Sequence, residues 1–160
     1  MNIRKATQKD ANAAGKIYEA AKKYMKDSGN PNQWTGAYPA EEDVIEGIAD
    51  GTSYVCEEDG EVIGTFYFKI GRDATYDFIE GEWLNSEPYA VIHRIAVKYH
   101  GRGIADFIYK ECFNLHPNLK IDTHTDNLPM QRSLEKNGFV RAGVIYLANG
   151  DPRIAYQKIK

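Results

Sequence analysis

One stretch of this 160-residue chain constrains its fold more than any other. An extended apolar run, Tyr89 to Val97, meets the turn Tyr99-His100-Gly101-Arg102-Gly103-Ile104-Ala105 and passes at once into a helical repeat. From Gly103 onward, Ile104, Phe107, Ile108 and Cys112 recur at the spacing of one buried helix face. The helix must stop before His116-Pro117, because the residue preceding a proline is driven out of the helical region. Leu119 to Thr125 then reads as a second strand. A strand, a helix and a strand in this order place the two strands parallel with a right-handed crossover, which sets the centre of an α/β sheet.

The flanks extend that sheet. Ile3 to Ala6 reads as a first strand, and Asp10 can cap a helix carrying Ala14, Ile17, Ala21 and Tyr24 that ends near Asp27-Ser28-Gly29. Asn30 to Tyr38 reads as a loop, followed by a helix begun near Pro39, with Val44, Ile45 and Ile48 on one side and Asp50-Gly51 at its close. Ser53 to Glu58 and Glu61 to Lys69 are strand-like runs joined by Asp59-Gly60, a strong hairpin signal. Gly71 to Pro88 mixes Tyr76, Phe78, Ile79, Trp83 and Leu84 with acidic residues and is expected to be an insertion over the active face. A helix opens at Asn127-Leu128-Pro129 and stops at Asn137-Gly138, and Phe139 to Leu147 with Arg153 to Ile159 form a last hairpin around Asn149-Gly150. The expected fold is α/β (α+β): a mixed, mostly antiparallel central sheet with helices on both faces, in one domain spanning residues 1–160.

Charge and cysteine usage narrow the function. A net charge of -3 argues against broad nucleic-acid binding, which draws on many Lys and Arg contacts to phosphate, and suits cationic small molecules. The N-terminus lacks the apolar stretch of a signal peptide and no run is long enough to cross a bilayer, so a cytoplasmic protein without membrane contacts is expected. Cys56 and Cys112 lie in apolar patterns without CxxC spacing, so both are expected as buried small side chains and Cys112 not as a nucleophile. Asp122 and His124 have one metal-compatible spacing but no third ligand, and no metal is expected.

Gly101 and Gly103 stand where exposed backbone N–H groups and the positive end of a helix dipole favour an anion such as a pyrophosphate. Glycine lets phosphates approach the backbone, Arg102 can add charge, and Ala105 leaves the first helical turn open. In isolation such a turn is no more than a tight connection, and neither GxxxxGK[ST] nor a full GxGxxG is present. The combination Ile92-His93-Arg94-Ile95-Ala96-Val97, then His100-Gly101-Arg102-Gly103-Ile104-Ala105, resembles the acetyl-CoA-binding segment of the GNAT superfamily, written there Q/R-x-x-G-x-G/A, with His100 in the Gln/Arg position. Asp126-Asn127 and Leu134-Glu135-Lys136-Asn137-Gly138-Phe139 resemble the second cofactor motif, and with the element order the likeness covers nearly the whole chain.

The resemblance implies an acetyl-CoA-dependent N-acetyltransferase acting on a primary amine of a small molecule or peptide by direct transfer. It implies that the pantetheine arm lies between two splayed parallel strands. Ile95, Ala96 and Val97 would supply backbone contacts, the amides of Arg102, Gly103, Ile104 and Ala105 would hold the pyrophosphate, and Asn127 would reach the arm. A backbone N–H near Ile95 would stabilise the developing oxyanion. An alkyl ammonium must lose a proton before it attacks, and its pKa lies about three units above neutral, so a base is required. Candidate bases are Glu82, with Glu80 beside it, and His93. Asp122 and His124 share one strand face by period-two spacing, and Trp34, Tyr38 and Trp83 are candidates to line an acceptor pocket. The family's usual acid, the tyrosine of Y-x-x-x-G-F, is replaced by Leu134, which leaves Tyr146, Ser133 or solvent to protonate the leaving thiolate. The competing readings are a non-catalytic acyl-CoA-binding or sensor module, which Leu134 favours, and an interaction domain without CoA affinity. Expected partners are acetyl-CoA and an amine, with a second copy of the chain, as a homodimer, a further candidate.

Overall fold

The computed structural model describes residues 1–160. In chain order the elements are β1 (Asn2–Lys5), α1 (Ala11–Asp27), α2 (Glu41–Asp50), β2 (Ser53–Glu58), β3 (Glu61–Ile70), β4 (Glu80–Gly81), β5 (Ala90–Val97), α3 (Ile104–Leu115), β6 (Asn118–Thr123), α4 (Leu128–Lys136), β7 (Val140–Tyr146) and β8 (Pro152–Ile159). They build one eight-stranded sheet in the order β1-β2-β3-β5-β6-β8-β7-β4. Every pairing is antiparallel except β5 with β6. No helix is long and apolar enough to cross a membrane.

Helices cover both faces, as the sequence pattern requires. Ile104, Ile108 and Cys112 of α3 and Leu134 of α4 pack with Ile92, Leu119, Ile121 and Tyr156 in the main core. On the other side, Ala14, Ile17 and Tyr18 of α1 and Val44 of α2 meet Ala96. Neighbouring strand residues point to opposite faces, so Val91 and Ala155 turn away from the main core and close a third cluster with Tyr76 and Ile145. Both cysteines are buried in the main core.

The segment from 71 to 88 is more ordered than its composition suggests. A single 3-10 turn, Ala74–Tyr76, buries Tyr76, and Glu80–Gly81 adds β4 to the edge of β7, a strand that the mixed pattern does not announce. The buried Gln157 holds the rest: its Oε1 accepts from the Leu84 N–H at 2.7 Å, and its amide donates to Asn118 at 2.8 Å and to Asn85 at 3.2 Å. These bonds fix the segment across the sheet face opposite α3.

Two irregularities in β5 shape everything that follows. It pairs with β6 only at Ala90↔Leu119 and Val91↔Lys120, after which the strands splay apart. Against β3 it carries an extra residue between His93 and Ala96, and Arg94 takes a left-handed conformation with φ 53°. This is a β-bulge, which bends the strand and re-aims its side chains.

Candidate active site

Beyond the splay of β5 and β6, a cleft of about 190 Å³ opens beside the end of β5, bounded by α1, α3 and the start of α4. Its walls include Ile95, Ala96, Val97 and His100 from β5 and the turn, Ala105 and Tyr109 of α3, and Asn127, Met130 and Ser133 of the α4 region. Past Val91 and Lys120 neither strand is hydrogen-bonded to the other, so the facing backbone groups are free to bind an extended ligand. At the far end, Gly101 and Gly103 have φ of 75° and 73°, with nothing within 4 Å of the place where a Cβ would stand. Gly103 is the N-cap of α3, whose first N–H groups lack intrahelical partners. Free strand edges leading to open backbone N–H groups are what an extended chain ending in an anion would require.

Four residues expected to bind the cofactor have side chains already engaged within the protein. Arg102 bonds Glu58 at 3.1 Å and stacks on Tyr99, and Ile104 is buried in the core, so both would offer backbone alone. His100 stacks on Tyr24 of α1, ring centroids 4.0 Å apart, and both line the cleft. The Asn127 Oδ1 accepts from the Met130 N–H, capping α4, and its Nδ2 donates to Gln33 at 2.9 Å.

On the other side of Ile95 and Met130, which belong to both walls, lies a second cavity of about 260 Å³. Trp34, Tyr38, His93 and Asp122 line it, together with Thr75, Arg94 and Arg153. His93 Nε2 lies 2.7 Å from Asp73 Oδ2, while its Nδ1 is 3.7 Å from Asp122. The His93 imidazole holds the Asp73 carboxyl down to about 2, so Asp73 is the acceptor and Nε2 carries the hydrogen. Asp73 is itself fixed by accepting from the Thr75 N–H at 3.0 Å. Asp122 accepts from the Tyr76 hydroxyl at 2.6 Å; burial and that carboxylate push Tyr76 well up. The contact with the half-buried Asp73 orients the ring and turns Nδ1 of His93 toward Asp122 and the cavity, in position to exchange a proton with a bound group.

Three sequence candidates sit elsewhere. Glu82 is exposed, its backbone N–H tied to Ala142 on the far edge of the sheet, and it does not line the cavity, because β4 carries it outward. His124 lies beyond the end of β6, where its Nδ1 accepts from the Asp126 N–H, so period two no longer holds it beside Asp122. Trp83 stands behind Tyr76, donating to its carbonyl at 3.0 Å, and does not line the cavity. The alternative acids part in the same way: Tyr146 is exposed on β7, beside Glu80, whereas Ser133 lines the cleft. Leu134 is wholly buried.

Asp73, Arg94, Tyr109 and Arg153 escaped the sequence reading. Asp73-Ala74-Thr75 does carry a local signal, an Asx-type turn; the other three are brought in by the bulge and by long-range pairing.

Residues 14–139 match the family model described as the acetyltransferase (GNAT) family. No curated protein matches the chain in sequence. Among solved structures, a GNAT-family acetyltransferase from Streptococcus agalactiae 2603 shares 33% identity over 99% of this chain and 95% of that one, with a TM-score of 0.90. A GNAT-family acetyltransferase from Listeria monocytogenes 4b F2365 shares 20% identity over 98% and 93%, TM-score 0.67. A ribosomal-protein-alanine N-acetyltransferase from Brucella melitensis shares 18% over the full length of both chains, TM-score 0.63. The last two likenesses concern the fold.

Proposed function

The chain belongs to the acetyltransferase (GNAT) family, and from that premise we propose that it moves an acetyl group from acetyl-CoA to a primary amine by direct transfer in a ternary complex. The observation that carries this reading is the contact of the two voids at Ile95 and Met130. A donor in the cleft and an amine in the cavity would meet there and nowhere else.

Acetyl-CoA supplies an activated thioester. Gly101 to Ala105 would hold its pyrophosphate, the freed edge of Ile95, Ala96 and Val97 its pantetheine arm, and Asn127 would wall the cleft rather than reach the arm with a free amide. In the cavity, His93 takes one proton from the incoming ammonium at Nδ1, with Asp73 steadying the imidazolium and Asp122 holding the ammonium. The neutral nitrogen attacks the carbonyl carbon, the C–S bond breaks, and the Ile95 N–H is the candidate donor to the developing oxyanion. One ammonium proton leaves to solvent through His93, and a second ends on the CoA sulfur. Ser133 and Tyr109, which both line the cleft, are the candidates to deliver that proton to the sulfur in place of the missing tyrosine.

The reaction needs no metal in this reading, and acetyl-CoA and an amine are its partners, in the cytoplasm. The cavity beside the cleft favours the enzyme over a binding module, which has no use for an oriented histidine. Release of CoA thiol, followed continuously with an amine library, tests it. Amine-dependent release is expected; tight acetyl-CoA binding without turnover of any amine supports the module instead.

A further inference from the structure

The second cavity holds two cations that nothing in the protein neutralises. Arg4, Arg94 and Arg153 are the arginines of the chain that are buried or half-buried. Arg4 follows the usual rule for a partly buried guanidinium, gripping Asp10 at 2.7 and 3.0 Å and Glu57 at 3.0 Å. Arg94 and Arg153 have no carboxylate within reach, and both line the cavity. Arg153 is 6% exposed and finds only carbonyls, Pro152 at 2.9 Å and Gln33 at 3.4 Å. Arg94 sits over the rings of Tyr38 and Tyr67, at 5.3 Å from the nearer centroid, and its Nε is buried without a partner.

A guanidinium cannot shed its charge, and burying one unpaired is costly. Its planar fork matches a carboxylate, which can take two parallel hydrogen bonds. The same cavity contains the opposite sign: Asp122, with His93 and Asp73 behind it. Its lining is therefore dipolar, with two arginines to receive an anion and a carboxylate to receive an ammonium.

We propose that the acceptor is an amino-carboxylate, a small amino acid or a close relative, whose carboxylate pairs with Arg94 and Arg153 while its ammonium faces Asp122 and His93. This rests on the acetyl-transfer reading and narrows its substrate class. The chemistry is that given above: the amine nitrogen gains the acetyl carbon, CoA leaves as the thiol, and the carboxylate is unchanged. A cavity of about 260 Å³ suits a single small molecule of this kind.

The test uses matched probes. Free amino acids are compared as acceptors with their carboxamides and with the corresponding decarboxylated amines, and the N-acetyl form of each is titrated calorimetrically into the CoA complex. At least tenfold higher kcat/KM and tighter binding are expected for the carboxylate of each set. Arg153→Gln should remove that preference by raising KM for the carboxylate acceptor only, and Arg153→Lys should keep part of it. Acetyl-CoA affinity, measured alongside, reports that each variant is folded. Equal or better use of the decarboxylated amines overturns the proposal, as does an Arg153→Gln loss that is equal for all three classes. If no probe is acetylated, the calorimetry still decides: failure of every N-acetyl carboxylate to bind overturns the proposal, while acetyl-CoA binding separately judges the reading beneath it.

Discussion

The hydroxyl of Tyr18 donates a hydrogen bond of 2.8 Å to the carbonyl of Arg94, joining the middle of α1 to the bulge of β5. Tyr18 is almost fully buried and meets Trp34 edge-on at 5.8 Å. One side chain thus ties the first helix to the left-handed residue that lets β5 turn His93 toward one void and Ile95 toward both. Tyr18→Phe keeps the ring and leaves the Arg94 carbonyl unsatisfied. It should cost about 1–3 kcal/mol in urea denaturation, and turnover should fall more than acetyl-CoA affinity. An unchanged kcat would mean that the bulge is held by other contacts.

His93 and Asp73 form the pair on which proton removal depends. His93→Gln should lower kcat by roughly 10²–10⁴-fold, the range for a lost general base. The pair also makes a stability prediction with a definite sign. The folded value of Asp73, about 2, lies below its ordinary 3.8, so its contribution is present above that ordinary value and is lost as pH falls through the folded one. Asp73→Asn should flatten this acid limb, as read from chemical denaturation between those two pH values. A limb of unaltered steepness would show that the pair does not couple to folding.

Leucine at position 134 is a core residue here, so restoring the family's tyrosine should not restore an acid. Leu134→Tyr overfills a fully buried site and should destabilise by about 1–3 kcal/mol without raising kcat. Tyr109→Phe, by contrast, should lower kcat if Tyr109 protonates the thiolate. The outcome against this assignment is a Tyr109→Phe enzyme with full turnover.

Lys120 points away from the main core and is 5% exposed, its ammonium 4.1 Å from the ring centre of Trp83 and 3.8 Å from that of Tyr89; it forms no salt bridge, and the charge of Asp77 only partly offsets its burial. Burial pulls it from 10.5 down to about 8. Between those values the unfolded chain binds more protons than the folded one, so stability should rise as pH climbs from 8 toward 10.5. Lys120→Met should abolish that rise and raise Tm at pH 7 by about 2–4 °C, the shift that a gain of about 1 kcal/mol gives a domain of this size. A Tm that falls instead would show that the two rings stabilise the charge more than burial opposes it.

The legible part of this molecule was local. The Asp59-Gly60 hairpin, the stop at His116-Pro117 and the glycine turn all declare themselves through backbone preferences of neighbouring residues, and the structure has each of them where the sequence places it. The acceptor side was not legible in this way, for reasons that particular residues make plain. Asp122 and His124 were expected on one face, but β6 ends at Thr123 and the alternation ends with it. Glu82 was expected over the active face; pairing of Gly81 with Gly143 takes it to the sheet edge. The bulge at Arg94 depends on a mismatch between two strands, and Arg153 arrives from the last strand of the chain, so no window of sequence holds both.

The acetyl-transfer reading depends on acetyl-CoA occupying the cleft beside the end of β5. Calorimetric titration of acetyl-CoA into the wild-type chain and into Gly103→Arg tests that most directly, since an arginine there strains a backbone at φ 73° and fills the open phosphate cradle. One site per chain is expected in the wild type, and no measurable binding by a variant that still unfolds cooperatively. A wild-type chain that fails to bind acetyl-CoA, or a Gly103→Arg chain that binds it equally well, would contradict that reading.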